Sequence, residues 1–211
     1  MYPELQHTLD GIAATDTSIP SDRAQRLGAI AAWIKEQRAK GGTANLVFIC
    51  THNSRRSQFA QVWAKVAAHR TGLKQIHTWS AGTEGTAVAP PVIDALQAQG
   101  FRIDGAGDQN IHGDPVQTKY LVNFDDQEPP LHLFSKTIDA PENPSGEFAA
   151  IMVCSDADEN CPFVPGAAGR FSLPFEDPKV SDGTADEAPT YQARSLAIAR
   201  EMLYLMELAA A

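Results

Sequence analysis

Cysteine is scarce in this chain: there are three in 211 residues, Cys50, Cys154 and Cys161. An odd number does not make a secreted disulfide framework, and without a close Cys-x-x-Cys pair the ligand spacing for zinc is poor. The thiols are therefore expected to be catalytic, redox-active or buried in a reducing compartment, and no metal is required. Also missing is any apolar run near the roughly 18 residues that cross a bilayer. Met1-Tyr2-Pro3-Glu4-Leu5 lacks the basic-then-apolar order of a signal peptide. A soluble, cytoplasmic protein is expected. Basic charge is short as well: a formal net charge of -9 disfavours general affinity for nucleic acid or an anionic membrane. Any anion site must be a local exception to that field. The chain has no internal repeat or low-complexity tract.

What is present reads as one α/β domain with additions, a usual content for this length. Residues 1–44 form an N-terminal extension with one helix, Ser21 to about Lys40, which carries Leu27, Ile30, Ala31 and Ile34 on one face and ends at Gly41-Gly42. Asn45-Leu46-Val47-Phe48-Ile49-Cys50 is too short for a helix and too continuously apolar for a half-exposed strand, so it is read as a strand of a parallel sheet buried on both faces. Phe59, Val62, Trp63 and Val66 then follow a helical spacing. The polar loop between strand and helix lies where α/β proteins place ligands. A strand at Ile76 to Ser80, a helix from Pro90 to Gln99 and a strand over Ala149 to Cys154 continue the pattern. A short strand near Arg170 to Leu173 and a helix from about Tyr191 to Leu208 complete it. Residues 104–147 are read as an insertion rich in Gly, Pro, Asp and Asn, in which Tyr120 to Phe124 and Leu131 to Phe134 pair as a hairpin.

Chemistry concentrates in Cys50-Thr51-His52-Asn53-Ser54-Arg55-Arg56-Ser57. Cys50 and Arg56 bracket five residues, a spacing that lets a loop curl around a tetrahedral anion with backbone N–H groups and a helix N-terminus turned inward. A cysteine at that positive end, beside an arginine, is placed to act as a thiolate nucleophile. Arg56 can grip two oxygens with its planar fork, and Ser54 and Ser57 add hydroxyl donors. Taken alone, the spacing also fits a buried strand-end cysteine beside a solvated arginine. Arsenate, phosphate and phosphotyrosine all suit such a loop. Cys154 and Cys161 lie seven positions apart behind the second apolar strand, and Pro174-Phe175-Glu176-Asp177-Pro178 follows. Locally these read equally as a core cysteine, an incidental one and a surface turn.

Together these segments resemble the low-molecular-weight protein tyrosine phosphatase fold family and, within it, the thioredoxin-coupled arsenate reductases. The family loop usually reads Cys-x-Gly-Asn-x-Cys-Arg-Ser; this chain matches it at Cys50, Asn53, Arg56 and Ser57 but carries His52 and Arg55 at the other two places. A histidine in a glycine's place would be strained if the turn demands a positive φ. Arg55 either adds charge near the anion or points into solvent. The resemblance implies a three-layer fold: a four-stranded parallel sheet with helices on both faces. It also implies an oxyanion loop over residues 51–57, catalytic Cys50 and Arg56, Asp177 as general acid, and a Cys154–Cys161 redox relay. Ser80 and Asn53 would support the loop, and residues 155–160 would rearrange to bring the relay cysteines together. The reductant implied is thioredoxin or a similar dithiol, with no tightly bound cofactor. Two rivals stand beside arsenate reduction: a tyrosine phosphatase using Cys50, Arg56 and Asp177, and a non-catalytic oxyanion binder or thiol sensor.

Overall fold

The computed structural model describes residues 1–15, 18–109, 117–161 and 163–211. Strands β1 (Ala44–Cys50), β2 (Ile76–Gly82), β6 (Phe148–Met152) and β7 (Ala167–Ser172) form one parallel sheet in the order β2-β1-β6-β7. The two central strands are the two most apolar. Every residue of β6 is buried, as is all of β1 except Asn45, whereas edge strands β2 and β7 carry exposed residues. Continuous apolar sequence marks the middle of a covered parallel sheet, and the burial follows that rule.

Helices flank this sheet. α3 (Arg56–Arg70) packs on β1 and β2, α2 (Ser21–Ala39) on β1 and β7, and α6 (Glu187–Ala210) lies against α2, α3 and α4 (Pro90–Ala98). A buried polar chain crosses this layer: Trp63 Nε1 donates to Ser195 Oγ at 2.8 Å, and Ser195 Oγ donates to Gln99 Oε1 at 2.7 Å. With both hydroxyl functions used, Ser195 sits in the apolar layer without an unmet hydrogen bond. Among the described residues no helix is long and apolar enough to cross a membrane.

Two parts of the fold differ from expectation. The first 44 residues hold two helices, because α1 (Pro3–Ala14) precedes α2. Pro3 stands at its first turn, where its missing N–H costs nothing, and Leu5, Leu9 and Ile12 are buried on one face of it. The second difference is β3 (Arg102–Gln109), which pairs antiparallel with β4 (Gln117–Asn123) where weak patterning had suggested irregular chain. β4 also pairs with β5 (Leu131–Leu133) as the expected hairpin, so the smaller sheet has the order β3-β4-β5. Of the segment read as an insertion, residues 110–116 lie outside the described residues, as do positions 16, 17 and 162. After β5 the chain returns to the main sheet: Gly82 donates its N–H to Lys136 O at 2.9 Å, and Ile138 donates to Gly82 O at 3.0 Å. These bonds extend the end of β2, beside the Cys50 loop.

Gly100 joins α1 to the body of the fold. It has φ +99, and a Cβ there would lie 2.3 Å from Leu5 N. Strained backbone and a backbone clash act together at this position, so Gly100→Ala is expected to cost about 2–4 kcal/mol in urea unfolding. A loss below about 0.5 kcal/mol would show that α1 is not held at this contact.

Candidate active site

β1 ends at Cys50 and α3 begins at Arg56, so residues 51–55 make the turn between the sheet and a helix N-terminus. Asn53 controls that turn. It is the loop residue with a left-handed backbone, φ 46, a region asparagine tolerates better than other side chains. The strain anticipated at His52 thus falls one residue later, on a residue suited to it. His52 itself is half-exposed at the surface, with Nε2 3.7 Å from Glu84 Oε2, and its carbonyl accepts from Thr86 Oγ1 and Ser135 Oγ.

Every polar group of the buried Asn53 side chain is used. Its Oδ1 accepts from Lys136 N at 2.9 Å, which leaves Nδ2 to donate to Ser57 Oγ at 2.8 Å. Ser57 Oγ lies 3.1 Å from Cys50 Sγ. The Ser57 hydroxyl accepts from Asn53 and has its proton free, so it can donate to Cys50 when the sulfur is a thiolate. Gln58 fastens the turn from beneath: Nε2 donates to Asn53 O at 2.7 Å and to Phe134 O at 3.1 Å, and Oε1 accepts from Ser80 Oγ at 3.3 Å. Gly82 lies against the loop so closely that a Cβ would sit 2.7 Å from Asn53 N and 2.8 Å from Thr51 O. Ser54, also buried, accepts from Ala89 N through its carbonyl.

Among the described residues, none of the backbone N–H groups from His52 to Ser57 donates to a protein acceptor. Six adjacent donors at a helix N-terminus, around a buried thiol, form a cradle that a tetrahedral anion satisfies. Arg56 flanks it, mostly buried, with Nη1 donating to Phe175 O at 3.0 Å and Nη2 to Asp177 Oδ2 at 2.6 Å. Its Nε is buried without a partner. Asp177 also caps the 3-10 turn Pro178–Ser181 by accepting from Lys179 N. Cys50, His52, Ser54, Arg55, Arg56 and Asp177 line one depression.

Arg55 neither reaches solvent freely nor stands alone. Its Nε donates to Tyr191 OH at 2.6 Å and its Nη2 to Asp182 Oδ2 at 3.0 Å, while Tyr191 OH donates to Asp182 Oδ1 at 2.7 Å. The closed triangle ties the loop to α6. Tyr191 and Asp182 carried no sign of this in the sequence beyond the unusual arginine that they serve. The relay candidates divide. The strand expected to run to Cys154 stops at Met152, and Cys154, fully buried, lies two residues beyond it with its Sγ 3.5 Å from Thr51 Oγ1. Cys161 lies at the other end of α5 (Ser155–Asn160), partly exposed, donating to Phe163 O.

Burial, and then the acceptor Asp182, push the Tyr191 hydroxyl up to about 12, with Arg55 opposing. The folded value lies above the unfolded value of about 10, so this stabilisation is complete below pH 10 and is lost as pH rises towards 12. Urea-unfolding free energies of Tyr191→Phe should lack that decline. At neutral pH the same variant leaves Arg55 and Asp182 each short of a partner and should lose about 1–3 kcal/mol.

Residues 45–129 match the family model described as low molecular weight phosphotyrosine protein phosphatase. The chain is 29% identical over 133 residues to an arsenate reductase of Staphylococcus aureus (strain Newman), covering 63% of this chain and 77% of the relative. Among solved structures, a low molecular weight protein tyrosine phosphatase from T. tengcongensis superposes with TM-score 0.51 at 14% identity, covering 78% of this chain and 99% of that one. The solution structure of a low molecular weight protein tyrosine phosphatase from Bacillus subtilis gives TM-score 0.50 at 16% identity, covering 78% and 95%. At such identities the two structures bear on the fold alone. The chain thus has the fold of the low-molecular-weight phosphotyrosine protein phosphatases, and its residues 45–129 match that family's model.

Proposed function

We propose that this chain reduces arsenate to arsenite through its three cysteines, with thioredoxin or a similar dithiol restoring them in the cytoplasm. The observation that carries the reading is the position of Cys154. Ile49 pairs with Met152 and Val153 N donates to Ile49 O, so Cys50 and Cys154 leave adjacent parallel strands at nearly the same level. Strand spacing puts their Cα atoms roughly 5–7 Å apart, within reach of a disulfide. Phosphatase chemistry at Cys50, Arg56 and Asp177 has no use for a second buried thiol there. The similarity to an arsenate reductase supports the same reading.

In this mechanism the loop N–H groups and Arg56 hold arsenate, and Cys50 thiolate bonds to arsenic as one oxygen leaves as water with a proton from Asp177. Asp177 first releases Arg56 Nη2, which turns to the anion. Cys154 thiolate then attacks Cys50 Sγ. The sulfur–arsenic bond breaks with its electron pair left on arsenic, giving arsenite and a Cys50–Cys154 disulfide. Cys161 attacks Cys154 and frees Cys50. Two thiols have become one disulfide, which balances the two-electron reduction of arsenic.

The last exchange requires α5 to open. An intact six-residue helix between the two cysteines holds their Cα atoms roughly 10 Å apart, beyond the roughly 7 Å that a disulfide spans. The helix is suited to come apart: Asp156, Asp158 and Glu159 face no basic residue within it. Arg170 of β7 holds it from outside, through Asp158 Oδ1 at 2.7 Å, Asp158 O at 2.5 Å and Cys161 O at 3.1 Å.

NADPH consumption with thioredoxin and thioredoxin reductase is expected to depend on arsenate and to vanish in Cys161→Ser. Hydrolysis of p-nitrophenyl phosphate that survives Cys161→Ser, without arsenate turnover, would instead make the chain a phosphatase. Oxidation to the Cys154–Cys161 disulfide should strip hydrogen-exchange protection from the α5 amides. A helix that stays protected in chains whose disulfide is verified by mass would sink the relay.

A further inference from the structure

A second cleft lies away from Cys50. It follows the free edge of β2, between that strand and the β4–β5 hairpin, with a volume of about 560 Å³. Side chains from both faces of β2 reach it, Ile76 and Thr78 from one and His77 and Trp79 from the other, which a cleft can achieve only by wrapping the strand's edge. Its size and mainly apolar walls are those of small-molecule sites. Trp79, Leu131 and Phe134 give it an apolar body.

Two features mark it as more than a fold in the surface. Three buried polar atoms on its lining have no partner: Gln61 Oε1, Thr78 Oγ1 and Trp79 Nε1. Gln61 and Thr78 are 4% and 7% exposed, so water does not serve them freely. Buried hydroxyl and indole donors are normally paired, and here they line the same space. The second feature is charge. Lys119 and Lys136 place their ammonium groups 4.9 and 4.6 Å from the centroid of the same Phe134 ring. The third lysine of the lining, Lys65, is matched by Glu128 at 3.5 Å. Setting the histidines aside, Lys119 and Lys136 then face Glu142, and with Lys65 offset by Glu128 from outside the lining an excess of positive charge remains in a chain of net charge -9. Lys136 is 3% exposed, and burial pushes its amine down to about 8, with Glu142 opposing and Lys119 adding to the shift.

We propose that this cleft is a second ligand site, separate from the Cys50 loop, for a small apolar monoanion: an aromatic or aliphatic body against Trp79 and Phe134, and an acid group on Lys136 and Lys119 within reach of the Thr78 and Trp79 donors. An uncharged ligand would leave the two ammonium groups repelling each other, and an inorganic anion would leave the apolar walls wet. The site adjoins the loop through the chain itself, since the backbone N–H of Lys136 is the group that holds Asn53.

The test is calorimetric titration of the full chain with 1-naphthaleneacetate and with 1-naphthaleneacetamide, its neutral counterpart, both in excess phosphate to occupy the Cys50 loop. The acid should bind one to one and at least about tenfold tighter than the amide. Lys136→Gln, and independently Lys119→Gln, should each remove most of that preference, in proteins whose near-ultraviolet circular dichroism matches the parent. Equal binding of acid and amide, binding of neither, or acid binding seen only in a parallel titration without phosphate would overturn the proposal. So would an uncharged extended hexapeptide that binds where the acid does not, since that would make the cleft a strand-docking edge.

Discussion

The site depends on one asparagine held in a left-handed turn. Asn53 reverses the chain between β1 and α3, and each of its side-chain atoms answers a different demand: the amide nitrogen orients Ser57 towards Cys50, and the oxygen receives the Lys136 N–H. Its carbonyl is held by Gln58. Neutral hydrogen bonds in water contribute modestly, but inside a protein an unmet partner costs the full loss of hydration. A buried asparagine bonded through both its oxygen and its nitrogen can therefore hold a backbone conformation that a loop in water would abandon.

The donors of residues 52–57 follow from that constraint. A helix N-terminus leaves its first N–H groups unpaired wherever it occurs; what distinguishes this one is that the preceding turn adds further free donors around a buried sulfur. The cationic side chains are then arranged by their neighbours. Asp177 holds Arg56 at the rim, while Tyr191 and Asp182 draw Arg55 towards α6, so the two adjacent arginines do different work. One remains beside the anion cradle, and the other joins the loop to the helical layer.

Local order in the sequence was enough for the parts that are local in the structure. β1, the loop and α3 are contiguous, and their apolar periodicities change from strand to helix where the structure does; β6 ending near Cys154 has the same clarity. α1 left its mark too, in Pro3 and in the spacing of Leu5, Leu9 and Ile12, but a short helix containing Gly11 makes a weak pattern. β3 was hidden because Gly105, Gly107 and Asp residues dilute its alternation, and the strand exists through its pairing with β4. The supports of the loop were illegible for a different reason. Ser135, Lys136, Asp182 and Tyr191 act across long separations, and Lys136 acts through its backbone N–H, which any residue but proline would supply.

The bond between Lys136 and Asn53 spans 83 positions of chain. Closing a loop of that length is entropically costly and is repaid only when both ends have native surroundings. Strands β1 and β2 and helix α3, which are contiguous in sequence, can assemble without it, whereas the anion cradle cannot be complete until the chain beyond β5 has returned to Gly82. During synthesis or refolding, the protein should therefore acquire its secondary structure before its binding competence. In the native state, brief detachment of that returning segment would silence the cradle while the sheet beneath it stays intact.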